Sequence, residues 1–175
     1  LRKYVETDFA VTNSLGIRTD FLAGPITVET MFNVMPFENT ITTMFLSGSE
    51  VQEMLDYSTQ RSASRGCSTQ LQVSGITFTM NCRTGETEDI MIAGEPMQND
   101  AVYEMATNNY MAWGGSGFEM LKRNTTKQDT GISLRNAVID YLEQVDSIPY
   151  CQVEGEDGEC ERGIGYADGR IQPAY

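Results

Sequence analysis

The sequence predicts an α+β fold in which helices flank a mixed β-sheet. Predicted strands outnumber predicted helices along the 175 residues, and the two do not alternate strictly, which disfavours a regular β-α-β succession. Hydrophobic residues make up 40% of the chain and charged residues 21%, a balance typical of a chain with a packed core. The length fits one domain, placed at residues 1–148, followed by a tail at 149–175.

The first half of the chain carries short strands and capped helices. Residues 8–13 predict a buried strand, and Thr27 is placed to cap a helix that must end before Pro36. Residues 40–46 predict a second strand, with both faces half buried. A turn at residues 47–49 then leads into an amphipathic helix with apolar positions at i, i+3, i+4 and i+7, namely Val51, Met54, Leu55 and Ser58. The polar residues 60–69 predict a loop.

The second half predicts more strands before a last helix. The expected strands are 71–73, 76–80, 90–92 and 102–107, with a bend at Gly75, and a short helical turn is expected at 118–122 after the glycine-rich residues 114–117. Asp129 or Thr130 is expected to cap a helix with the apolar stripe Leu134, Val138, Tyr141, Leu142 and Val145. After Pro149 the chain becomes acidic and poor in apolar residues, which predicts a cysteine-containing loop and an extended tail.

The charge balance excludes several classes of partner. Twelve Lys and Arg stand against 25 Asp and Glu, which gives a net charge of −13 and a pI near 4.3. Binding to duplex DNA or RNA needs a basic face that displaces counterions, and docking on anionic lipid needs positive charge as well. No apolar stretch approaches the roughly 20 residues of a membrane-spanning helix. We therefore expect neither a nucleic-acid polymer nor a membrane span.

The sequence contains no histidine, which restricts the chemistry it can perform. Ser-His-Asp and Cys-His catalysis are excluded, as is any metal centre built on imidazole. The acidic residues are scattered, so no pair of carboxylates can be nominated for acid–base catalysis. We therefore expect no catalytic residue and no metal site in this chain.

The four cysteines lie at Cys67, Cys82, Cys151 and Cys160. None belongs to a C-x-x-C pair, and a zinc site of four such widely spaced thiolates would be unusual. Two pairs close in sequence predict the disulfides Cys67–Cys82 and Cys151–Cys160, although four cysteines allow three connectivities and unpaired thiols are the alternative. Disulfides would place the protein in an oxidising compartment, in the periplasm, at the cell surface or outside the cell.

Two local features could contact a ligand. Arg18 is the only cation between Lys3 and Arg61 and can fork hydrogen bonds onto an anion, although an ordinary ion pair with Asp20 or Glu29 is the plainer interpretation of its spacing. The glycines of residues 114–117 would let a ligand approach the backbone, and the nearby aromatic residues Tyr110 and Trp113 could stack on a flat ring. A tight connection and core aromatics are the plainer interpretation of this second feature.

Five sequence blocks, taken together, resemble a known family. They occur in the order "DFAVTNSLGIR", "GPITVETMFNVMPFENTITTMFLSGSEVQEML", "LQVSGITFTM", "YEMATNNYMAWGGSGFEML" and "DTGISLRNAVIDYL". This series resembles the C-terminal domain of the 5'-nucleotidase family, which includes UDP-sugar hydrolases, from about Asp8 to about Leu142. Five ordered blocks are far more specific than any single motif.

The resemblance implies that catalysis and nucleotide binding are carried by different domains. In that family an N-terminal metallophosphoesterase domain holds two metal ions and a catalytic His-Asp pair, whereas the C-terminal domain binds the nucleotide. This chain would then be the substrate-binding and specificity domain of an exported 5'-nucleotidase or UDP-sugar hydrolase, inactive alone and without a cofactor of its own. Its partners would be a nucleotide or nucleotide sugar and the metal-binding domain of the same polypeptide. That domain is expected to precede Leu1, and the family's helix before the first strand is expected to be missing or cut at Leu1, with Arg2 as its remnant.

The resemblance also implies roles for individual residues. Arg18 would contact the phosphate and Asn13 the nucleoside. Phe37 and Tyr110 would sandwich the base, with Asn39 close to its edge.

The sequence departs from the family pattern at three places. Ser14-Leu15 stands where the family has Gly-Gly, and Trp113 replaces a smaller polar residue. Ser116 takes the place of an aspartate that binds the ribose hydroxyls, and serine offers one hydrogen bond where a carboxylate bridges two. These departures motivate an alternative function, a non-catalytic ligand-binding or structural module derived from the same domain.

Overall fold

The structure, a computed structural model, describes residues 1–145 and 170–174. The predicted disulfide Cys151–Cys160, and most of the acidic loop and tail, lie outside the described residues. The predicted α+β class with mixed sheets is confirmed. Within the described residues the six helices are α1 (Arg2–Val5), α2 (Val28–Val34), α3 (Gly48–Ala63), α4 (Asn109–Ala112), α5 (Glu119–Arg123) and α6 (Leu134–Val145).

The larger sheet has five strands in the order β3-β1-β7-β2-β8. Its strands are β1 (Phe9–Asn13), β2 (Thr40–Ser47), β3 (Leu71–Ser74), β7 (Val102–Asn108) and β8 (Gln128–Ser133). Strands β1 and β7 are parallel, and the other neighbouring pairs are antiparallel. Because β1 and β7 run in the same direction, their carboxyl ends meet at one edge of the sheet.

The smaller sheet has four strands in the order β6-β5-β4-β9. They are β4 (Ile76–Asn81), β5 (Glu86–Ile92), β6 (Glu95–Pro96) and β9 (Ile171–Ala174). Gly75, with a φ of +79°, makes the predicted bend between β3 and β4. Strand β9 belongs to the predicted extended tail and pairs in parallel with β4.

Helix α3 lies between the two sheets and completes the main core. Its first turn carries a capping box, because the Ser47 hydroxyl accepts a bond from the Glu50 N–H and the Glu50 carboxylate accepts one from the Ser47 N–H. The buried residues Val51, Met54 and Leu55 pack with Phe9 and the apolar face of β4. A smaller cluster on the opposite face of the larger sheet joins it to α6; it holds Ala10, Ile41, Ala106, Leu134 and Ala137.

The structure corrects the predicted loop at residues 60–69, because α3 continues to Ala63. Its last turns are polar but buried. The Ser62 hydroxyl donates to the Ser58 carbonyl over 2.9 Å, and the Thr59 and Thr87 hydroxyls lie 2.8 Å apart. These bonds offset the cost of burying hydroxyl groups, so the helix continues without an apolar pattern.

The predicted helix cap at Asp129 or Thr130 is wrong, because both residues belong to strand β8. Asp129 accepts a 2.8 Å hydrogen bond from the Thr40 hydroxyl, and Thr130 donates one of 2.8 Å to the Ile41 carbonyl. Helix α6 starts only at Leu134, and Tyr141 of its predicted apolar stripe is 44% exposed. None of the described helices has the length and apolar character that a membrane span requires.

Candidate ligand-binding site

Three asparagines meet where β1 and β7 end. Asn13 is the last residue of β1, and Asn108 is the last residue of β7. Strand β2 runs antiparallel to β7 with Ile41 opposite Asn108, so Asn39, just before β2, reaches the same edge. The edge therefore gathers residues from three segments that are far apart in the sequence.

Asn108 holds this edge together. Its side chain is 1% exposed and makes three hydrogen bonds. The amide nitrogen donates to Thr12 Oγ1 over 2.8 Å and to Asn13 Oδ1 over 2.9 Å. The amide oxygen accepts from the Met111 N–H over 2.8 Å and so caps α4. The same side chain thus joins β1 to the helical turn that carries Tyr110.

Two hollows adjoin at this edge, and Asn39 lines both. The first is a narrow slot whose lining includes Gly16, Ile17, Phe37, Asn39 and Asn108. The second is an open hollow of about 510 Å³ lined by Asn39, Asn109, Tyr110, Trp113, Gly114 and Gly115. We call them the slot and the open hollow. Phe37 and Tyr110 therefore belong to adjoining hollows that share one residue.

Both predicted base-stacking residues present aromatic surface to solvent. Phe37 and Tyr110 are each 50% exposed, whereas Phe9 and Phe118 of the core are 1% exposed or less. An isolated exposed aromatic is common on protein surfaces, but two beside adjoining concave sites offer flat faces to a ligand. About half of the surface of each of these two residues therefore remains available for contact with a ligand.

The glycine-rich loop supports the Tyr110 ring. The Ser116 N–H donates to the Tyr110 hydroxyl over 3.1 Å, and this bond lowers the pKa of Tyr110 because it favours the phenolate. A β-carbon on Gly115 would lie 2.5 Å from the Tyr110 ring, so only glycine fits there. The Ser116 carbonyl in turn accepts hydrogen bonds from Tyr57, over 3.0 Å, and from Arg61.

The other three predicted site residues are Asn13, Arg18 and Ser116. Asn13 is 7% exposed, and its side chain lies against Gly16. Arg18 follows Ile17 of the slot; its guanidinium is exposed and donates to the Leu15 carbonyl over 3.3 Å. Among residues 1–145 and 170–174, no ion pair joins Arg18 to Asp20 or Glu29. Ser116 lines neither hollow, although its neighbour Gly115 does.

Sequence reasoning did not nominate Asn108 or Asn109 as site residues, and it considered Trp113 only as an aromatic near the glycine-rich loop that could stack on a flat ring. Asn109 accepts a hydrogen bond from the Thr40 N–H over 3.3 Å and lines the open hollow. The pattern "TNNY", two asparagines at the end of a predicted strand, could have indicated a helix cap at Asn108. In the part of the chain that the structure describes, no three His, Cys, Asp or Glu side chains group where they could hold a metal ion.

Comparison with known proteins gives a consistent set of relatives. Residues 1–123 match the family model described as 5'-nucleotidase, C-terminal domain. The chain is 31% identical over 148 residues to endonuclease YhcR of Bacillus subtilis. The aligned region covers 83% of this chain and 12% of that protein. It is 30% identical over 138 residues to a 5'-nucleotidase of Vibrio cholerae. Here the aligned region covers 79% of this chain and 24% of that enzyme. The chain thus spans a quarter or less of these relatives.

Solved structures agree with the family model. A 5'-nucleotidase precursor from Thermus thermophilus superposes with a TM-score of 0.80 at 28% identity, over 98% of this chain and 32% of that one. The NAD nucleotidase of Haemophilus influenzae gives a TM-score of 0.74 at 20% identity, over 96% of this chain and 30% of that one, a likeness of fold alone.

Proposed function

Because the chain belongs to the 5'-nucleotidase C-terminal domain family, we propose that it is the nucleotide-binding and specificity domain of a phosphoric ester hydrolase. The family match confirms the resemblance carried by the five sequence blocks. The ligand we assign to the site is a nucleotide or a nucleotide sugar.

The observation that carries this proposal is the position of Phe37 and Tyr110 beside hollows that share Asn39. Their exposed rings provide faces for a heterocyclic base, and stacking on an aromatic side chain stabilises a bound base by about 1–3 kcal/mol. Asn39 carries both a hydrogen-bond donor and an acceptor, which suits the polar edge of a base. Stacking and an amide together favour a nucleobase over a purely apolar ligand.

The polar part of the ligand would meet Arg18, Asn13 and Ser116. Arg18 is exposed and has no carboxylate partner among the described residues, so its guanidinium is available to a phosphate. Asn13 accepts from Asn108 through its amide oxygen, which leaves the amide nitrogen for the nucleoside. Ser116 lies next to Gly115 at the border of the open hollow, and from there its hydroxyl would give the ribose a single hydrogen bond. One cation in a chain of net charge −13 also offsets the repulsion that a phosphate would meet.

Hydrolysis itself would take place elsewhere in the polypeptide. We assign it to the divalent metals of a metallophosphoesterase domain, and we expect this chain alone to be inactive. The disulfide between Cys67 and Cys82 supports an exported protein, because such bonds persist in oxidising compartments.

Calorimetry with adenosine, AMP and UDP-glucose tests the proposal on the 175-residue chain. Phe37→Ala should weaken binding about 5- to 150-fold, the equivalent of one lost stacking contact. Phe45→Ala is the matched control, because Phe45 is also 50% exposed but lines neither hollow. If the wild-type chain binds none of the three compounds, the alternative of a structural module replaces this proposal.

A further inference from the structure

Trp113 is the single tryptophan of the sequence and lines the open hollow beside Tyr110. Its side chain is 64% exposed, and it belongs to neither hydrophobic cluster. Packing in the hydrophobic core therefore does not explain why residue 113 is a tryptophan.

The indole is nevertheless held in place. The backbone N–H of Trp113 donates to the Asn109 carbonyl over 3.1 Å, which closes the turn of α4 and fixes the main chain at this residue. The ammonium of Lys127 lies 5.0 Å from the centre of the aromatic ring, within the range of a cation–π contact.

Lys127 is itself fixed at the end of α5. Its ammonium donates to the carbonyls of Leu121 over 3.0 Å and Lys122 over 2.9 Å, and also to that of Asn124. Carbonyls at a helix C-terminus carry partial negative charge, which favours a cation there. Because the Lys127 ammonium is held by these carbonyls, its contact with the indole orients the Trp113 side chain in the absence of a ligand.

Tyr110 and Trp113 are three residues apart on one helical turn, so their side chains lie on the same side of it. Both line the open hollow, so the indole adds aromatic surface to that of the phenol ring. A base of one ring is small enough to be covered by Tyr110 alone, whereas a fused two-ring base extends beyond it.

From this geometry we propose that Trp113 is a specificity-determining residue that makes the site favour purine over pyrimidine ligands. The inference rests on the proposed nucleotide-binding function. It assigns the preference to additional stacking area, because dispersion and exclusion of water both grow with the flat surface in contact.

Two measurements on the 175-residue chain test it. Adenosine should quench the fluorescence of the single tryptophan, since the base would lie against the indole. In calorimetry, Trp113→Ala should reduce adenosine affinity about tenfold, within the range of one stacking contact, while uridine affinity changes by less than about twofold. Trp113→Phe, which keeps one ring, should lie between the wild type and the alanine variant. Thermal melts of both variants check that the fold is retained.

The outcomes separate this inference from the proposed function. Equal losses for adenosine and uridine, or no loss for either, would overturn the role of Trp113. If Phe37→Ala weakens adenosine binding while Trp113→Ala leaves the adenosine-to-uridine ratio unchanged, the nucleotide site stands and only the inference fails. A wild-type chain that binds neither nucleoside overturns both.

Discussion

Asn108 donates a hydrogen bond of 2.9 Å from its amide nitrogen to the amide oxygen of Asn13. This bond connects the ends of two parallel strands, and both ends carry residues proposed to contact the ligand. Arg18 follows Asn13 through a short turn, and Tyr110 follows Asn108 by two positions. The relative position of the two segments therefore depends on a buried amide.

Asn108→Ala should reduce the free energy of unfolding by about 2–3 kcal/mol, because it removes the cap of α4 and leaves buried polar groups unpaired. Urea denaturation measures the change. Asn136→Ala, at an exposed position of α6, is the control and should stay within about 0.5 kcal/mol of the wild type. Equal stability of the two variants would contradict a structural role for the Asn108 amide.

Gly117→Ala should destabilise the protein more than Gly94→Ala does. Both glycines have a left-handed backbone, with φ of +84° and +87°, so each substitution carries a strain of about 1 kcal/mol. An added β-carbon at Gly117 would also overlap the Tyr57 hydroxyl, whereas nothing lies within 4 Å at Gly94. We expect a loss of at least about 2 kcal/mol for Gly117→Ala. Urea midpoints that shift equally would argue against the support of the loop by Tyr57.

Loss of the disulfide between Cys67 and Cys82 should weaken the fold. The bond closes a loop with a sequence separation of 15, and a loop of that size corresponds to about 3 kcal/mol. The double variant Cys67→Ala, Cys82→Ala should therefore unfold at lower urea than the oxidised wild type.

Comparing reductant sensitivity in the two proteins isolates the contribution of this disulfide. A reductant should destabilise the wild type by more than the double variant, whose response reports only the other two cysteines. Equal responses would mean that the pairing does not form in solution.

Tyr110 should ionise below the usual tyrosine pKa of 10.0, because the Ser116 N–H stabilises its phenolate. Absorbance titration of the wild type minus Tyr110→Phe isolates this group, and a difference curve centred at or above 10.0 would exclude the hydrogen bond.

The lowered pKa of Tyr110 also makes the free energy of unfolding depend on pH, and proton linkage gives the sign of that dependence. Between the folded and the unfolded pKa the unfolded chain binds more protons, so the contribution of Tyr110 grows as pH rises and is lost as pH falls through the folded pKa.

Local chemistry made part of the fold predictable. The helix after Ser47 depends on a capping box in its first turn and on an apolar repeat, both of which are visible in the sequence. Asp129 and Thr130 carry equally good cap chemistry, but pairing with β2 places them in a strand instead. Long-range pairing overrode the local preference there, and a single sequence does not reveal that pairing.

The candidate site was predictable only in part, for the same reason. Phe37 and Tyr110 could be named through family blocks, because each block is continuous in the sequence. Asn108 gains its role from contacts with Thr12 and Asn13, more than 90 positions earlier in the chain. Trp113 gains its place from Lys127, which follows a separate helix. Neither contact leaves a periodic pattern that sequence analysis could detect.

The most direct test of the nucleotide site is an isotope-filtered nuclear Overhauser measurement on the labelled chain with unlabelled adenosine. If one base lies between the two hollows that share Asn39, base protons of adenosine should show effects to the ring protons of both Phe37 and Tyr110. Effects to only one of these rings, or to neither, would contradict the proposed stacking of a single base between them.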